Sequence, residues 1–228
     1  MKKFIALFIL LLSLTVHAQK DVTTFMGIPV DGTEAEMKKA LLQKGFKYEP
    51  AVDCIYGKFN GRLSYVHIVT NNNKVSRIIV EEGGLLDENK VKTRFNKLVR
   101  QFDKDKKYTK KFTSDYIIPE DENIEKGIES NRLRYVAAYL QATEHVEIDT
   151  TYAYTRVAEI VFREFTPEQV KNPTEAQQQK IQKILEEESK KIINELLAKK
   201  SVWFMINRKY GMYNILLYYD NEYNRTDG

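Results

Sequence analysis

The sequence predicts an α+β protein in which antiparallel sheets carry helices packed on one face. Three observations point there. Asn60-Gly61 sits between two strand-like runs, the signature of a tight antiparallel hairpin. Apolar residues recur with helical period over residues 88–103. Strand-like runs elsewhere come in adjacent pairs and do not alternate with helices, which disfavours a parallel nucleotide-binding sheet. The composition allows such a fold. Of 228 residues, 43% are hydrophobic and 30% charged, enough for a packed core and unlike a wholly disordered or polytopic membrane chain. One cysteine excludes an internal disulfide, so the core has to hold the fold without crosslinks.

Residues 1–18 read as a secretory signal peptide. Lys2 and Lys3 supply the basic start, Phe4 to Val16 form an apolar run short of the ~20 residues a membrane span needs, and Val16-His17-Ala18 forms the cleavage site. The expected location is the periplasm or cell surface, with no integral membrane segment left after cleavage. The 36 Lys+Arg nearly balance 32 Asp+Glu, and the leader carries off two of the lysines, so no broad positive field for nucleic acid remains. The cluster Lys104, Lys106, Lys107, Lys110 and Lys111 is interleaved with Asp103, Asp105 and Asp115 and reads as a solvated helix end.

In the mature chain, Val22 to Met26 reads as a short strand and Gly27 to Gly32 as a loop. A helix follows over about 34–44, with Thr33 and Glu36 at capping-box spacing and Gly45 at its left-handed end. The Asn60-Gly61 turn fixes a register: Phe59 faces Arg62, Tyr56 faces Tyr65, Ile55 faces Val66, and Cys54 faces His67. A second turn at residues 71–74 adds a third strand over 75–82. The helix over 88–103 buries Val91, Phe95, Leu98, Val99 and Phe102. Residues 104–131 are polar, which places a module boundary near 111/112: an N-terminal module over 19–111 and a C-terminal one over 112–228, or one continuous domain.

In the second half, 132–141 and 151–165 read as β-rich runs. The longest helix spans about 175–199, opened by Thr174 and Gln177 and buried along Ile181, Ile184, Leu185, Ile192, Leu196 and Leu197. Glu186/Lys190, Glu187/Lys191 and Glu195/Lys199 have surface-pair spacing. A closing hairpin joins 201–206 to 212–220.

No nucleotide-binding, nucleophile-elbow or zinc-protease motif occurs, and no cofactor is implied. Candidate chemistry rests on Cys54 and His67, because a thiol beside an imidazole is how a thiolate nucleophile is made; packing residues are the competing explanation. His145, Glu147 and Asp149 alternate and have the donor types of a divalent-metal site, against the plainer reading of a solvated loop. Tyrosine is abundant in the second half, and Tyr152, Tyr154, Tyr213 and Tyr218 are the candidate contacts of a binding face.

Phe25-Met26-Gly27-Ile28-Pro29-Val30-Asp31-Gly32-Thr33, the helix ending before Gly45-Phe46, and the closing runs Val202 to Ile206 and Tyr213-Asn214-Ile215 resemble a group of exported proteins of Bacteroidetes. The layout of helices on antiparallel sheets is similar to β-lactamase-inhibitor-like modules. The resemblance implies an envelope location and an α+β fold, and transfers no catalytic residue. The functional expectation is a non-enzymatic envelope protein that binds a protein or peptide. The alternative is a secreted hydrolase using Cys54 and His67.

Overall fold

The computed structural model describes residues 21–142 and 150–225. The expected leader and the His145/Glu147/Asp149 trio lie outside them. No helix among the described residues is long and apolar enough to cross a membrane.

The fold is α+β. A two-residue hairpin, β1 (Thr24–Phe25) and β2 (Ile28–Pro29), leads to helix α1 (Glu34–Gln43) and strand β3 (Lys47–Glu49). The meander β4 (Cys54–Phe59), β5 (Arg62–Asn71) and β6 (Lys74–Glu82) runs into helix α2 (Glu88–Lys104). Strand β7 (Tyr108–Lys110), helix α3 (Ile124–Glu129) and strand β8 (Val136–Gln141) follow. Three helices come next: α4 (Thr150–Glu164), α5 (Pro167–Lys171) and α6 (Glu175–Ala198). Strands β9 (Ser201–Lys209) and β10 (Met212–Asp220) close the chain.

Eight strands form one antiparallel sheet in the order β3-β4-β5-β6-β10-β9-β8-β7. The closing hairpin therefore enters the middle of the sheet. Strands from either side of 111/112 share this sheet. The chain divides into a unit made of the described residues of 22–142 and 198–225, and a helical unit within 143–197.

The hairpin register follows from turn chemistry. Asn60 and Gly61 both take positive φ, 46° and 77°, as a type I′ turn requires, and Phe59 faces Arg62, Tyr56 faces Tyr65 and Ile55 faces Val66. Asn72-Asn73 and Tyr210-Gly211 repeat the device at the next two hairpins.

One face of the sheet makes the main core. Met37 and Leu41 of α1 and Val91, Phe95, Leu98, Val99 and Phe102 of α2 are buried with Val66, Ile78, Val80, Phe204, Ile215 and Leu217. Phe204 meets Phe95, Phe102 and Tyr139 with ring centroids 5.1, 5.2 and 6.1 Å away. Both ends of α1 are closed by local bonds. Thr33 and Glu36 exchange side-chain and backbone bonds at the start. At the end, Gly45 N–H donates to the Leu42 carbonyl and Phe46 N–H to the Leu41 carbonyl, with Gly45 at φ 91°. Thr33→Ala is expected to cost about 1 kcal/mol by urea melt. Its Thr33 bonds hold the Glu36 carboxyl below its usual range. The box therefore adds its full stability above the unfolded Glu pKa and loses it as pH falls through the lowered folded one. A melt series for wild type and Thr33→Ala that stays parallel through that acid range would refute the assignment.

Residues 151–165 correct the sequence reading: 151–164 lie in α4 and not in a strand. Ala153, Val157, Val161 and Phe165 are buried at intervals of four, and they pack with Ile181 and Ile192 of α6. Helical period outweighed the β-branched and aromatic content that suggested a strand. On α6, Glu195 pairs with Arg156 at 2.6 Å and Glu187 with Lys183 at 3.9 Å, in place of Lys199 and Lys191.

Candidate functional site

Alternation along the strands sends a second set of side chains to the sheet face opposite α1 and α2. None of these residues belongs to the helix-side core. Tyr56, Tyr65, Glu81, Leu216, Met205 and Val136 lie in register across six strands, one residue from each. His67, Ile79, Tyr218, Trp203 and Ala138 form the neighbouring row. Most are half-buried, as expected for large side chains that shield one another on a sheet surface.

The centre is an aromatic and ionic cluster. Trp203 and Tyr218, opposite each other on β9 and β10, stack with centroids 3.7 Å apart and planes 5° from parallel. The Arg77 guanidinium lies 5.5 Å from the Trp203 ring and 5.1 Å from the Tyr218 ring. Asp220, only 1% exposed, holds the group together. It accepts from Trp203 Nε1 at 2.8 Å and from Arg77 Nη2 at 3.0 Å, and it pairs with Arg225 at 3.4 Å. The Asp220 hydrogen bond raises the Arg77 pKa further, so that cation is fixed. Burial raises the Tyr218 phenol, which stays neutral.

A polar network borders the cluster. Asn207 Nδ2 donates to Asn214 Oδ1 at 2.9 Å, and Asn214 Nδ2 donates to Glu81 Oε1 at 3.0 Å. His67 Nε2 lies 3.5 Å from Glu81 Oε2, and Lys209 Nζ lies 3.6 Å from Glu81 Oε1. These groups are already oriented by one another. A surface of preset rings and satisfied polar groups suits macromolecular contact, where aromatic area and rigid hydrogen-bonding groups dominate.

The sequence candidates distribute as follows. Tyr218 belongs to the cluster. Tyr213 does not: it is 3% exposed on the helix side of the same strand. Five residues apart on one strand, the two cannot share a face. Tyr152 and Tyr154 are exposed, but on helix α4 and not on a strand. Cys54 continues the β4 row, and the β4–β5 ladder ends one pair short of it, at Ile55–Val66. Desolvation, then Glu81 and Asp53, raise the Cys54 thiol pKa, which disfavours the thiolate a nucleophile needs. Its thiol donates to the Ile55 carbonyl at 3.8 Å, and His67 is engaged by Glu81. No group of three metal-ligating side chains occurs among the described residues. Arg77, Glu81, Asn207, Asn214 and Asp220 escaped the sequence reading. Parity along 212–220 could have placed Asp220 beside Tyr218, but nothing local joins them to Arg77.

A scan against protein-family models, a search of curated proteins and a search of solved structures each found no match.

Proposed function

We propose that this chain is an exported, non-enzymatic protein of the cell envelope that binds a protein or peptide on the sheet face around Trp203 and Tyr218. The observation carrying this reading is the stacked pair itself. A buried carboxylate holds the Trp203 ring and the Arg77 guanidinium, and Tyr218 stacks on Trp203, before any partner arrives, so little conformational entropy remains to be lost on binding. The leader-like start and the resemblance to exported proteins support the location. The raised thiol pKa of Cys54 weighs against hydrolysis.

Trp203 is the single tryptophan, so its emission reports on the site directly. Immobilised wild type is expected to retain at least one envelope polypeptide that Tyr218→Ala releases about tenfold more readily, as loss of a central aromatic anchor typically costs more than 1 kcal/mol. The purified polypeptide should then shift Trp203 emission in solution. Equal retention by both proteins, each checked by circular dichroism, would refute the assignment.

A further inference from the structure

On the helix side of the same unit lies a different kind of surface. The Asn60-Gly61 turn and the N-terminal half of α2 enclose a groove of about 510 Å³. Four cations line it, Arg62, Lys90, Arg94 and Lys97, with the Asn60 and Asn89 amides between them and no carboxylate in its wall. We propose that this groove binds a dianionic oxyanion, a phosphate group carried as a monoester.

The two arginines are preset. Glu82, 1% exposed beneath the groove, accepts from Arg94 Nε at 2.9 Å and also bonds Arg94 Nη2. Its other side faces Arg62 Nε at 3.2 Å, and Arg62 Nη2 donates to the Gly83 carbonyl at 3.1 Å. One carboxylate thus fixes two guanidiniums and offsets only one positive charge. Each arginine keeps an Nη1 that makes no hydrogen bond among the described residues. Arg94 is itself only 8% exposed, so its orientation does not depend on solvent.

Lys90 is paired with Asp87 at 2.6 Å, while Lys97 has no ion pair among the described residues. At its Asn89 and Lys90 end the groove reaches the first turn of α2, where the helix dipole is positive. With Glu82 and Asp87 counted against the four cations, two positive charges remain, and a single carboxylate would answer only one of them. A tetrahedral dianion presents three acceptor oxygens in directions that guanidinium forks match. A neutral sugar or an apolar ligand has no use for four cations.

The test uses the full chain and isothermal titration calorimetry at constant ionic strength, balanced with sodium chloride. The probes are inorganic phosphate, glucose 6-phosphate, and phosphatidylcholine vesicles with and without phosphatidic acid. Saturable binding of at least one phosphate-bearing probe is expected. Lys97→Glu should weaken it about tenfold or more, because the reversed charge stands in the groove. Lys39→Glu, on exposed α1 surface, should leave it unchanged. Lys97 is exposed, so its variant keeps the fold, verified by an unchanged urea midpoint in chloride. Binding of the free ester identifies a soluble ligand, and binding only of the phosphatidic acid vesicles identifies a lipid headgroup. Absence of saturable binding with every probe, or equal affinity in wild type and Lys97→Glu, overturns the proposal.

Discussion

Arg94→Ala is expected to lower stability by about 3 kcal/mol, measured by urea denaturation at neutral pH. The reason is Glu82. It stands on the core face of β6 in line with Ile78 and Val80, where an unpaired carboxylate has no access to water. Arg94 reaches it from α2 with bonds from both Nε and Nη2. Without Arg94, only Arg62 remains, with its Nε at 3.2 Å but lacking hydrogen-bond alignment. That residual partner keeps the expected loss at the lower end for a broken buried pair. Since a domain's net stability is about 5–15 kcal/mol, the variant should unfold at distinctly lower urea. The double change Glu82→Leu with Arg94→Met removes that pair and should recover part of the loss, since Arg62 is left without its carboxylate. Should Arg94→Ala melt within 1 kcal/mol of wild type, Glu82 does not depend on Arg94 for its charge partner.

Local chemistry was readable wherever a segment's structure is decided by its own residues. The Asn60-Gly61 turn gave strand register, and the apolar spacing from Val91 to Phe102 gave the buried face of α2. The Thr33, Glu36 and Gly45 pattern gave both ends of α1. What failed depended on partners distant in sequence. Pairing of β10 with β6 brings Asp220 opposite Arg77, and no pattern near either residue announces it. The same pairing joins strands from both sides of the polar 104–131 stretch into one sheet, which no local composition change announces. In 151–165, the two signals conflicted. Thr, Val and Tyr content favoured a strand, while Ala153, Val157, Val161 and Phe165 kept helical spacing, and burial followed the spacing. Abundance alone does not sort the tyrosines into faces, whereas strand parity separates Tyr213 from Tyr218.

The dependence of the candidate face on β6–β10 pairing leads to the other large expected effect. Asp220→Ala should cost about 3–5 kcal/mol, because it strips a partner from several groups at once. Arg77, with its side chain 22% exposed, would lose its carboxylate, and the Trp203 indole N–H would lose its acceptor. Ser201 Oγ, at 3.5 Å, and Arg225 would lose the same oxygen. Arg77 alone could be spared by a compensating deletion, so Arg77→Ala combined with Asp220→Ala should recover part of the loss, the mark of coupled neighbours. Asp220→Asn keeps one acceptor and the side-chain shape, and should fall between wild type and Asp220→Ala. Trp203 reports whether the platform itself loosens. Released from Asp220, its emission should shift to the red and acrylamide should quench it more readily, under conditions where circular dichroism still shows a folded chain. If Asp220→Ala unfolds outright, the same two optical readings on Asp220→Asn decide the matter. A variant with native stability and unchanged quenching would mean that the Trp203 and Tyr218 stack stands without its carboxylate, and the preorganised face would then rest on packing alone.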